Sequence, residues 1–292
     1  MKDHKAGFVS IIGKPNVGKS TLMNALVGEK LSIITPKAQT TRHRIRGIIS
    51  DDEFQIVFSD TPGILDSHYK LHDAMMNFVN ESLEDADILI FMVEMHESPE
   101  NYDFVEIIKS LKTSVLLVIN KADLAKDDEL IVAEQRWTQA VPSAKIILVS
   151  ALQGLNLGKL MQTIIDLLPL NPPFFPKEDM TDRPLRFFVA ETIREKIFMN
   201  YRKEIPYSTT VVVESYKEEE TIDRIRALIF VERETQKAIL LGHRGEAIKK
   251  IGMAARKEIE EFLDKHVYLE LTVKVSKDWR NNPEMLKRYG YL

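Results

Sequence analysis

The 292-residue chain contains no cysteine. Disulfide bonds, thiolate metal sites and cysteine nucleophiles are therefore excluded, and the composition suits a reducing cytosol. The amino-terminal residues lack the long apolar core and the small-residue cleavage site of a signal peptide. The most apolar run, Ile88–Val93, is far shorter than the roughly 20 residues of a membrane-spanning helix. We expect a soluble protein of the cytoplasm.

Acidic side chains slightly outnumber basic ones over the whole chain, which carries a net charge of −4. The excess is unevenly distributed: residues 1–182 have 18 basic and 26 acidic side chains, whereas residues 183–292 have 22 basic and 18 acidic ones. The front is therefore acidic and the back mildly basic, which suggests different partners for the two parts. The basic excess alone is weak evidence for nucleic-acid binding.

The order of apolar segments predicts two domains. From residue 7 to residue 168, β-rich runs alternate with segments of helical spacing. This alternation predicts an α/β domain with a mostly parallel sheet and helices on both faces, and two runs separated only by Asp51 and Asp52 predict an antiparallel hairpin. Five prolines between Leu168 and Pro184 favour an extended connector. The predicted boundaries are residues 1–168 for the first domain, 169–184 for a proline-rich linker, 185–276 for an α+β domain and 277–292 for a carboxyl-terminal tail.

The stretch GKPNVGKS, from Gly13 to Ser20, has the pattern of a phosphate-binding P-loop. It lies between a strand-like run and a helical segment, so its backbone N–H groups and the helix dipole would face the phosphates. Lys19 is expected to reach the β- and γ-phosphates, and the Ser20 hydroxyl to bind Mg²⁺. A glycine turn before a helix is the weaker alternative. The predicted phosphate-binding residues of this loop are Gly13, Lys14, Pro15, Asn16, Val17, Gly18, Lys19 and Ser20.

A second motif, DTPG at Asp60–Gly63, follows the strand-like run Phe54–Ser59. A carboxylate at this edge of a sheet, beside a P-loop, suits a Mg²⁺ ligand that acts through a water molecule. Gly63 would offer its N–H to a γ-phosphate. By itself the motif is a common turn, but its place after a P-loop makes a plain turn the weaker interpretation. The predicted phosphate-binding residues here are Asp60, Thr61, Pro62, Gly63 and Ile64.

The motif NKAD, Asn120–Asp123, follows the strand-like run Val115–Ile119 and indicates which base is bound. Guanine presents its N1–H and its exocyclic amine side by side, and one carboxylate, Asp123, can accept both hydrogen bonds. Adenine has no such pair of donors and would leave the carboxylate unpaired. The aliphatic stem of Lys121 can lie over the base, and the Ala151 N–H is expected to meet guanine O6. The predicted guanine-binding residues are Asn120, Lys121, Asp123, Ser150, Ala151 and Leu152.

These motifs, in this order, resemble those of translation-factor-related GTPases over residues 7–168. The resemblance implies a Ras-like P-loop GTPase domain that binds GTP or GDP with Mg²⁺ and hydrolyses GTP. The stretch Gln39–His43 looks like switch I, in which one threonine coordinates Mg²⁺ only when the γ-phosphate is present. We assign that role to Thr41, with Thr40 as the alternative. The expected Mg²⁺ ligands are Ser20, Thr41 and Asp60, and the residues expected to act in hydrolysis are Asn16, Lys19, Thr41 and Gly63.

One position departs from the Ras pattern. The glutamine that orients the attacking water in Ras-type proteins is replaced by Ile64, whose side chain forms no hydrogen bond. Hydrolysis then relies on another group, a partner or a cation. In GTPases that resemble this one, an asparagine at the position of Asn16 helps to hold a potassium ion that acts as a built-in arginine finger. The hypothesis is slow, K⁺-stimulated hydrolysis with Asn16 as a K⁺ ligand.

The informative stretch of the second domain is KAILLGHRGEAIKKIG, Lys237–Gly252. Its G-x-x-G loop joins two predicted helices, and such a loop lets the backbone approach single-stranded nucleic acid. A plain turn would be the default, but the basic flanks and the order helix, strand, strand, helix, helix, strand resemble a type II KH domain. Lys and Arg would supply salt-dependent phosphate contacts. The expected RNA-binding residues are Gly242, His243, Arg244, Gly245, Ile248, Lys249 and Lys250.

A GTPase domain followed by a KH domain resembles the Era family of bacterial GTPases, with its TrmE–Era–EngA-type G domain, over the whole chain. Matching stretches include ITPKAQTTRHRIRGI, TDRPLRF and VKVSKDWRNNPEMLKRYGYL. The resemblance implies binding to the 3′ end region of small-subunit (16S) ribosomal RNA and a role in maturation of the small (30S) ribosomal subunit. We expect a monomer. Peripheral association with the inner face of the cell membrane stays open, although the sequence shows no amphipathic anchor.

Three other interpretations stay open at this point. A metabolic P-loop kinase would use ATP or a small acceptor and would not need Asp123. A G-domain fusion involved in transfer RNA modification would lack the KH unit and carry cysteine or folate-binding features. An RNA-binding protein with a degenerate nucleotide site would have lost motifs that are intact here. The residues alone support a GTP-switched binder of single-stranded RNA.

Overall fold

A computed structural model describes residues 4–102 and 104–292. Contacts between residues divide the chain into two compact units that interleave along the sequence. The first unit comprises residues 1–32, 41–66 and 76–182, and the second comprises residues 33–40, 67–75 and 183–292. The domain boundaries proposed from the sequence therefore stay predictions, since two short segments of the amino-terminal half group with the carboxyl-terminal half.

The first unit is built on a six-stranded sheet in the order β2-β3-β1-β4-β5-β6. All neighbouring strands are parallel except β2 and β3, which form the predicted antiparallel hairpin. The inner strands are buried on both faces and are therefore continuously apolar. The strands are β1 (Lys5–Gly13), β2 (Ile45–Ser50), β3 (Phe54–Asp60), β4 (Ile88–Glu94), β5 (Ser114–Asn120) and β6 (Lys145–Leu148).

The helices of this half of the chain follow the strands as the alternation predicted. Around β4 and β5 the rings of Phe91, Tyr102 and Trp137 pack edge to face with centroids 5.4–5.9 Å apart. Because the five parallel strands end at one edge of the sheet, the loops that follow them converge there. The helices are α1 (Lys19–Val27), α2 (Lys70–Glu84), α3 (Phe104–Ser110), α4 (Asp127–Ala140) and α5 (Leu157–Leu167).

The carboxyl-terminal part of the chain has the predicted order of elements around a three-stranded sheet. Strand β8 lies in the centre, antiparallel to β7 and parallel to β9. The apolar faces of α6 and α9 cover the sheet, with Ile197, Ile229 and Ile259 in the core. The elements are α6 (Leu185–Asn200), α7 (Ile205–Ser208), β7 (Thr210–Lys217), β8 (Ile222–Val231), α8 (Glu234–Leu241), α9 (Glu246–Leu263), β9 (His266–Val275) and α10 (Pro283–Arg288).

Residues 277–292, a tail in the sequence-based prediction, pack onto this unit. The indole of Trp279 is fully buried and donates to the carbonyl of Ser208 at 2.9 Å. The hydroxyl of Tyr291, close to the end of the chain, lies 3.1 Å from that of Thr210. Within the described residues, no helix has the length and apolarity needed to cross a membrane.

The stretch expected to be an extended connector is hydrogen-bonded to the first unit. The Ala6 N–H donates to the carbonyl of Pro169 at 3.1 Å, and the Ile48 N–H donates to that of Met180 at 2.8 Å. The Gln55 side chain accepts from the N–H of Phe174 at 2.7 Å. Prolines exclude a helix here, as predicted, and the chain is hydrogen-bonded to residues of β1, β2 and β3.

Candidate nucleotide and nucleic-acid sites

The P-loop lies at the junction of β1 and α1. The strand ends at Gly13 and the helix begins at Lys19, so the loop has the strand–loop–helix context on which its assignment depends. The first N–H groups of a helix have no partner within the helix and suit an anion. The loop therefore presents several backbone donors and the positive end of α1 at the edge where the parallel strands end.

Lys19 is buried beneath this loop. Its ammonium group donates to the carbonyls of Gly13 at 3.0 Å and Lys14 at 2.9 Å. Burial lowers the pKa of Lys19 to about 8, although the nearby Asp60 carboxylate opposes this shift. Burial also raises the pKa of the Asp60 carboxyl, against the hydrogen bond from Ser20 and the charge of Lys19. Each buried group thus lacks part of the countercharge that a phosphate or a cation would supply.

The three predicted Mg²⁺ ligands lie together. The Ser20 hydroxyl donates to the Asp60 carboxylate at 2.6 Å and lies 2.9 Å from the Thr41 hydroxyl, which is 3.4 Å from the same carboxylate. Thr40 lies elsewhere: its hydroxyl contacts that of Thr35 at 2.6 Å and donates to the carbonyl of Lys37 at 2.6 Å. The geometry favours Thr41 over Thr40 as the switch threonine.

The DTPG segment packs directly on the P-loop. A side chain at Gly63 would come within 2.7 Å of the Pro15 nitrogen, so only glycine fits at this distance. The Ile64 N–H donates to the carbonyl of Gly13 at 3.1 Å. The Thr61 hydroxyl, in contrast, donates to the carbonyl of Ile11 at 2.7 Å and ties the segment to β1. Its side chain holds the backbone rather than facing the loop.

The buried Asn120 side chain connects three of the predicted motifs. Its amide donates to the carbonyl of Val17 in the P-loop at 2.7 Å, and its oxygen accepts from the Ala151 N–H at 3.0 Å. Asp123 is exposed at the same edge, and Leu152 is 79% exposed. Asn120 therefore sets the position of the predicted guanine-binding residues relative to the predicted phosphate-binding loop.

The G-x-x-G loop joins α8 to α9 through a short 3-10 turn at His243–Gly245. Gly242 has φ 72° and ψ −175°, and a side chain there would lie 2.5 Å from the Ala247 Cβ. His243, Arg244, Lys249 and Lys250 are exposed. The loop therefore offers bare backbone framed by basic side chains.

Comparisons with known proteins match both parts of the chain. Residues 8–121 match the family described as 50S ribosome-binding GTPase, and residues 204–280 match the KH domain family. GTPase Era of Geotalea daltonii is 47% identical over 98% of this chain and 97% of its own length. The chain belongs to the Era family of GTPases. A chloroplastic ERA-like GTPase of Oryza sativa is 46% identical over 99% of this chain and 70% of its own.

Two solved Era structures superpose on the whole of this Era-family chain. One is Era in complex with MgGDPNP and nucleotides 1506–1542 of 16S ribosomal RNA, with a TM-score of 0.94, 41% identity and 99% of both chains covered. The other is a variant of Aquifex aeolicus Era bound to GDP·AlF₄⁻, also with a TM-score of 0.94 and 41% identity, over 98% of this chain and 99% of its own. The predicted fold, a Ras-like GTPase domain followed by a KH domain, is confirmed. The protein is a GTPase, and the interpretation as a metabolic kinase is not favoured.

The Era-family site fits Mg²⁺. Two ligand oxygens on neighbouring corners of an octahedron with bonds of about 2.1 Å lie about 3 Å apart, and the Ser20 and Thr41 hydroxyls are 2.9 Å apart. The buried Asp60 carboxylate adjoins both. A bound Mg²⁺ would offset the negative charge that develops on the phosphates during hydrolysis.

Hydrophobic packing explains the isoleucine after DTPG in this Era-family GTPase. Ile64 packs against the core cluster that includes Ile12, Val79 and Phe91. Its side chain therefore stabilises the start of the segment that follows β3, and its backbone N–H fastens that segment to the P-loop. A glutamine would lose the apolar contact.

Several residues beside the nucleotide site carry no sequence motif. The Glu94 carboxylate pairs with the Lys121 ammonium, and the Lys14 ammonium lies 3.8 Å from the centre of the Tyr102 ring. Glu97 accepts from the Tyr102 hydroxyl and lies 3.7 Å from Lys14. An acidic residue at the end of β4 was the only available signal, and it is too common to indicate a site.

Proposed function

We propose that this Era-family GTPase binds the 3′ end region of small-subunit (16S) ribosomal RNA under the control of GTP, and acts in maturation of the small (30S) subunit. The observation that carries the proposal is the likeness over the full chain to an Era that was crystallised with nucleotides 1506–1542 of 16S ribosomal RNA. The transfer RNA modification alternative has no comparable support.

On the nucleotide side, we propose a division of labour among the residues of the chain. Lys19 and the P-loop N–H groups hold the β- and γ-phosphates, and the Gly63 N–H meets the γ-phosphate. Asp123 accepts the two guanine donors, and the Ala151 N–H meets O6 of the base. Thr41 joins the cation only in the GTP state, so its position reports the nucleotide.

On the RNA side, the exposed loop offers backbone for close approach and cations for phosphates. Gly242 and Gly245 form the close-approach surface, and Arg244, Lys249 and Lys250 supply charge. The side chain of Ile248 packs partly against the core of the unit, so its remaining exposed part would contact a base. His243 would stack on or hydrogen-bond to a base.

The test is the affinity of the purified protein for the 3′-terminal RNA fragment and for a scrambled one, as a function of salt. Replacing Arg244, Lys249 and Lys250 by alanine should weaken binding and reduce the slope of log affinity against log salt by about 0.7 for each lost phosphate contact. The matched control is Lys257→Ala, an exposed lysine farther along α9 that pairs with Glu261. Equal affinity for both RNAs would overturn the proposal.

Nucleotide dependence is the second arm of this test. If GTP controls the RNA site, affinity measured with a GTP analogue, with GDP and without nucleotide must differ, and RNA must shift nucleotide affinity by the same factor. If the correct RNA binds with the same affinity in every nucleotide state, the proposed RNA target stands and the proposed control by GTP is contradicted.

We further propose that Asn16 holds a K⁺ ion that stimulates hydrolysis. Asn16 lies exposed in the P-loop with φ 66°, and Ile64 offers no group to orient water. Turnover should then be faster in K⁺ than in Na⁺, and Asn16→Ala should remove the difference. Equal turnover of the unaltered protein in both salts would contradict this proposal.

We propose a cytoplasmic monomer that acts on the ribosomal subunit rather than at the membrane. Sedimentation of the purified protein should give a single species of 33.6 kDa. Flotation with vesicles of anionic lipid tests peripheral membrane association, and recovery of the protein with the vesicles would contradict the proposal.

A further inference from the structure

The segment Ile33–Thr40, between α1 and β2, carries the first half of the predicted switch. By its contacts it belongs to the second unit, whereas the next residue, Thr41, belongs to the first. The segment is closed on itself by the bond between the Thr35 and Thr40 hydroxyls, 2.6 Å apart. The chain therefore passes from one unit to the other at the peptide bond before the switch threonine.

Three hydrogen bonds, to α6 and to Tyr201 directly after it, hold the beginning and middle of this segment. The Glu195 carboxylate accepts from the Ile34 N–H at 3.2 Å. The Lys37 ammonium donates to the carbonyl of Tyr201 at 2.8 Å and also to that of Phe198. These two carbonyls lie at the end of α6, where backbone acceptors lack partners within the helix and attract cations.

Arg194 holds the end of the segment. Its Nη2 donates to the carbonyl of Thr40 and also to the Glu191 carboxylate, whose second oxygen accepts from its Nε at 2.7 Å. The Arg194 side chain is 1% exposed and that of Glu191 is 7% exposed. A buried ion pair of this kind is weak evidence for stability, because apolar residues often replace one without loss. The role of this pair is geometric. Because Glu191 accepts from both Nε and Nη2, it fixes the orientation of the guanidinium group, whose Nη2 then donates to the Thr40 carbonyl.

The Thr40 carbonyl is part of the same planar peptide unit as the Thr41 nitrogen. Fixing that carbonyl therefore fixes the direction in which the chain enters Thr41, whose hydroxyl lies 2.9 Å from that of Ser20. We propose that Arg194, oriented by Glu191, is a positioning residue of the GTPase reaction: it holds the Thr40–Thr41 peptide so that the Thr41 hydroxyl reaches the Mg²⁺ position. This inference rests on the GTPase activity and is independent of the RNA target.

The test compares affinities for GDP and for a non-hydrolysable GTP analogue, with and without Mg²⁺. On the proposed mechanism Thr41 binds Mg²⁺ only in the GTP state. Loss of Arg194 should therefore weaken binding of the analogue about tenfold, which is a typical coupling, and leave the affinity for GDP unchanged. The variants are Glu191→Gln with Arg194→Met, which removes both charges together, and Arg194→Lys, which keeps the charge without the planar fork. The matched control is Arg186→Met, an exposed arginine on the same helix.

A double-mutant cycle separates positioning from a merely structural role. In a Thr41→Val background the Arg194 substitutions should have no further effect on the ratio of the two affinities, because Arg194 acts through Thr41. Lys37→Met, in the middle of the segment, should lower the ratio by a smaller factor and does not disturb the buried pair. If the double variant without the two charges fails to fold, Arg194→Lys and Lys37→Met still test whether the segment positions Thr41. Equal weakening of GDP and analogue, or additive effects with Thr41→Val, would overturn the proposal.

Discussion

Asn120 and Val17 are joined by a buried hydrogen bond of 2.7 Å from the asparagine amide to the valine carbonyl. The bond connects the loop after β5 to the P-loop, and the other side of the same amide accepts from Ala151 at 3.0 Å. One side chain thus supports the predicted phosphate-binding and guanine-binding residues together.

Asn120→Ala should therefore damage both nucleotide binding and stability. It leaves a buried carbonyl and a buried N–H without partners, which typically costs about 1–3 kcal/mol for each group. We expect a lower unfolding temperature without nucleotide and a GDP affinity reduced at least about tenfold. Calorimetry and fluorescent GDP titration measure these changes. An unchanged GDP affinity would show that Asn120 does not connect the two parts.

Asp123→Asn should change the base that the protein accepts. The asparagine carbonyl can accept only one of the two guanine donors, and its NH2 group would face the other, so the loss of one hydrogen bond to a charged group predicts roughly a hundredfold weaker GTP binding. Xanthine carries a carbonyl in place of the exocyclic amine, so the asparagine amide can donate to it. Competition between GTP and XTP gives the preference directly. Retention of full GTP affinity would refute the assignment of Asp123.

Nucleotide affinity should fall as the pH rises through about 8. Burial lowers the pKa of Lys19 to about 8 without nucleotide, and adjacent phosphates raise it in the complex. The complex thus holds a proton that the free protein loses above pH 8, so binding takes up a proton and affinity declines by at most about tenfold per pH unit. GDP titrations from about pH 7 to about pH 9 test this. Lys19→Met, which does not titrate, binds more weakly but should show no such decline.

Gly63→Ala should weaken the GTP state selectively. The added methyl group would lie 2.7 Å from the Pro15 nitrogen, so the segment must move away from the P-loop and the γ-phosphate loses the Gly63 N–H. We expect about tenfold weaker binding of a GTP analogue, close to the effect of one charged hydrogen bond, and nearly unchanged GDP binding. Gly158→Ala, where no atom lies within 4 Å of the added methyl, is the control. Equal effects of the two substitutions would show that the close approach of Gly63 to Pro15 is not needed for the GTP state.

The sequence predicted the parts of the site that depend on local backbone. The P-loop, Asp60, Asn120 and Asp123 each lie at or just after the end of a strand, so the order of parallel strands brings them to one edge. The contacts of Glu94 with Lys121 and of Lys14 with Tyr102 were missed, because they join positions far apart in the chain through side chains of ordinary types.

The grouping of two short segments of the amino-terminal half was also beyond the sequence. Residues 33–40 form no helix or strand, and residues 67–75 run into the start of α2, so nothing local shows that these segments group with residues 183–292. The same holds for the carboxyl-terminal residues: Trp279 and Tyr291 are apolar enough for a core, but only the tertiary fold brings them to Ser208 and Thr210.

The parallel pairing of β8 with β9 has a consequence for synthesis of the chain. The central strand β8 cannot pair with β9 until the chain has been made as far as Val275. Trp279 and Tyr291 then contact Ser208 and Thr210, which lie about 70 to 80 positions earlier in the chain. Non-local contacts of this kind cannot form until both ends have left the ribosome. A chain that stops before residue 266 would contain every predicted nucleotide-binding motif and still lack β9, Trp279 and Tyr291, so the nucleotide site and the second unit are completed at different stages of synthesis.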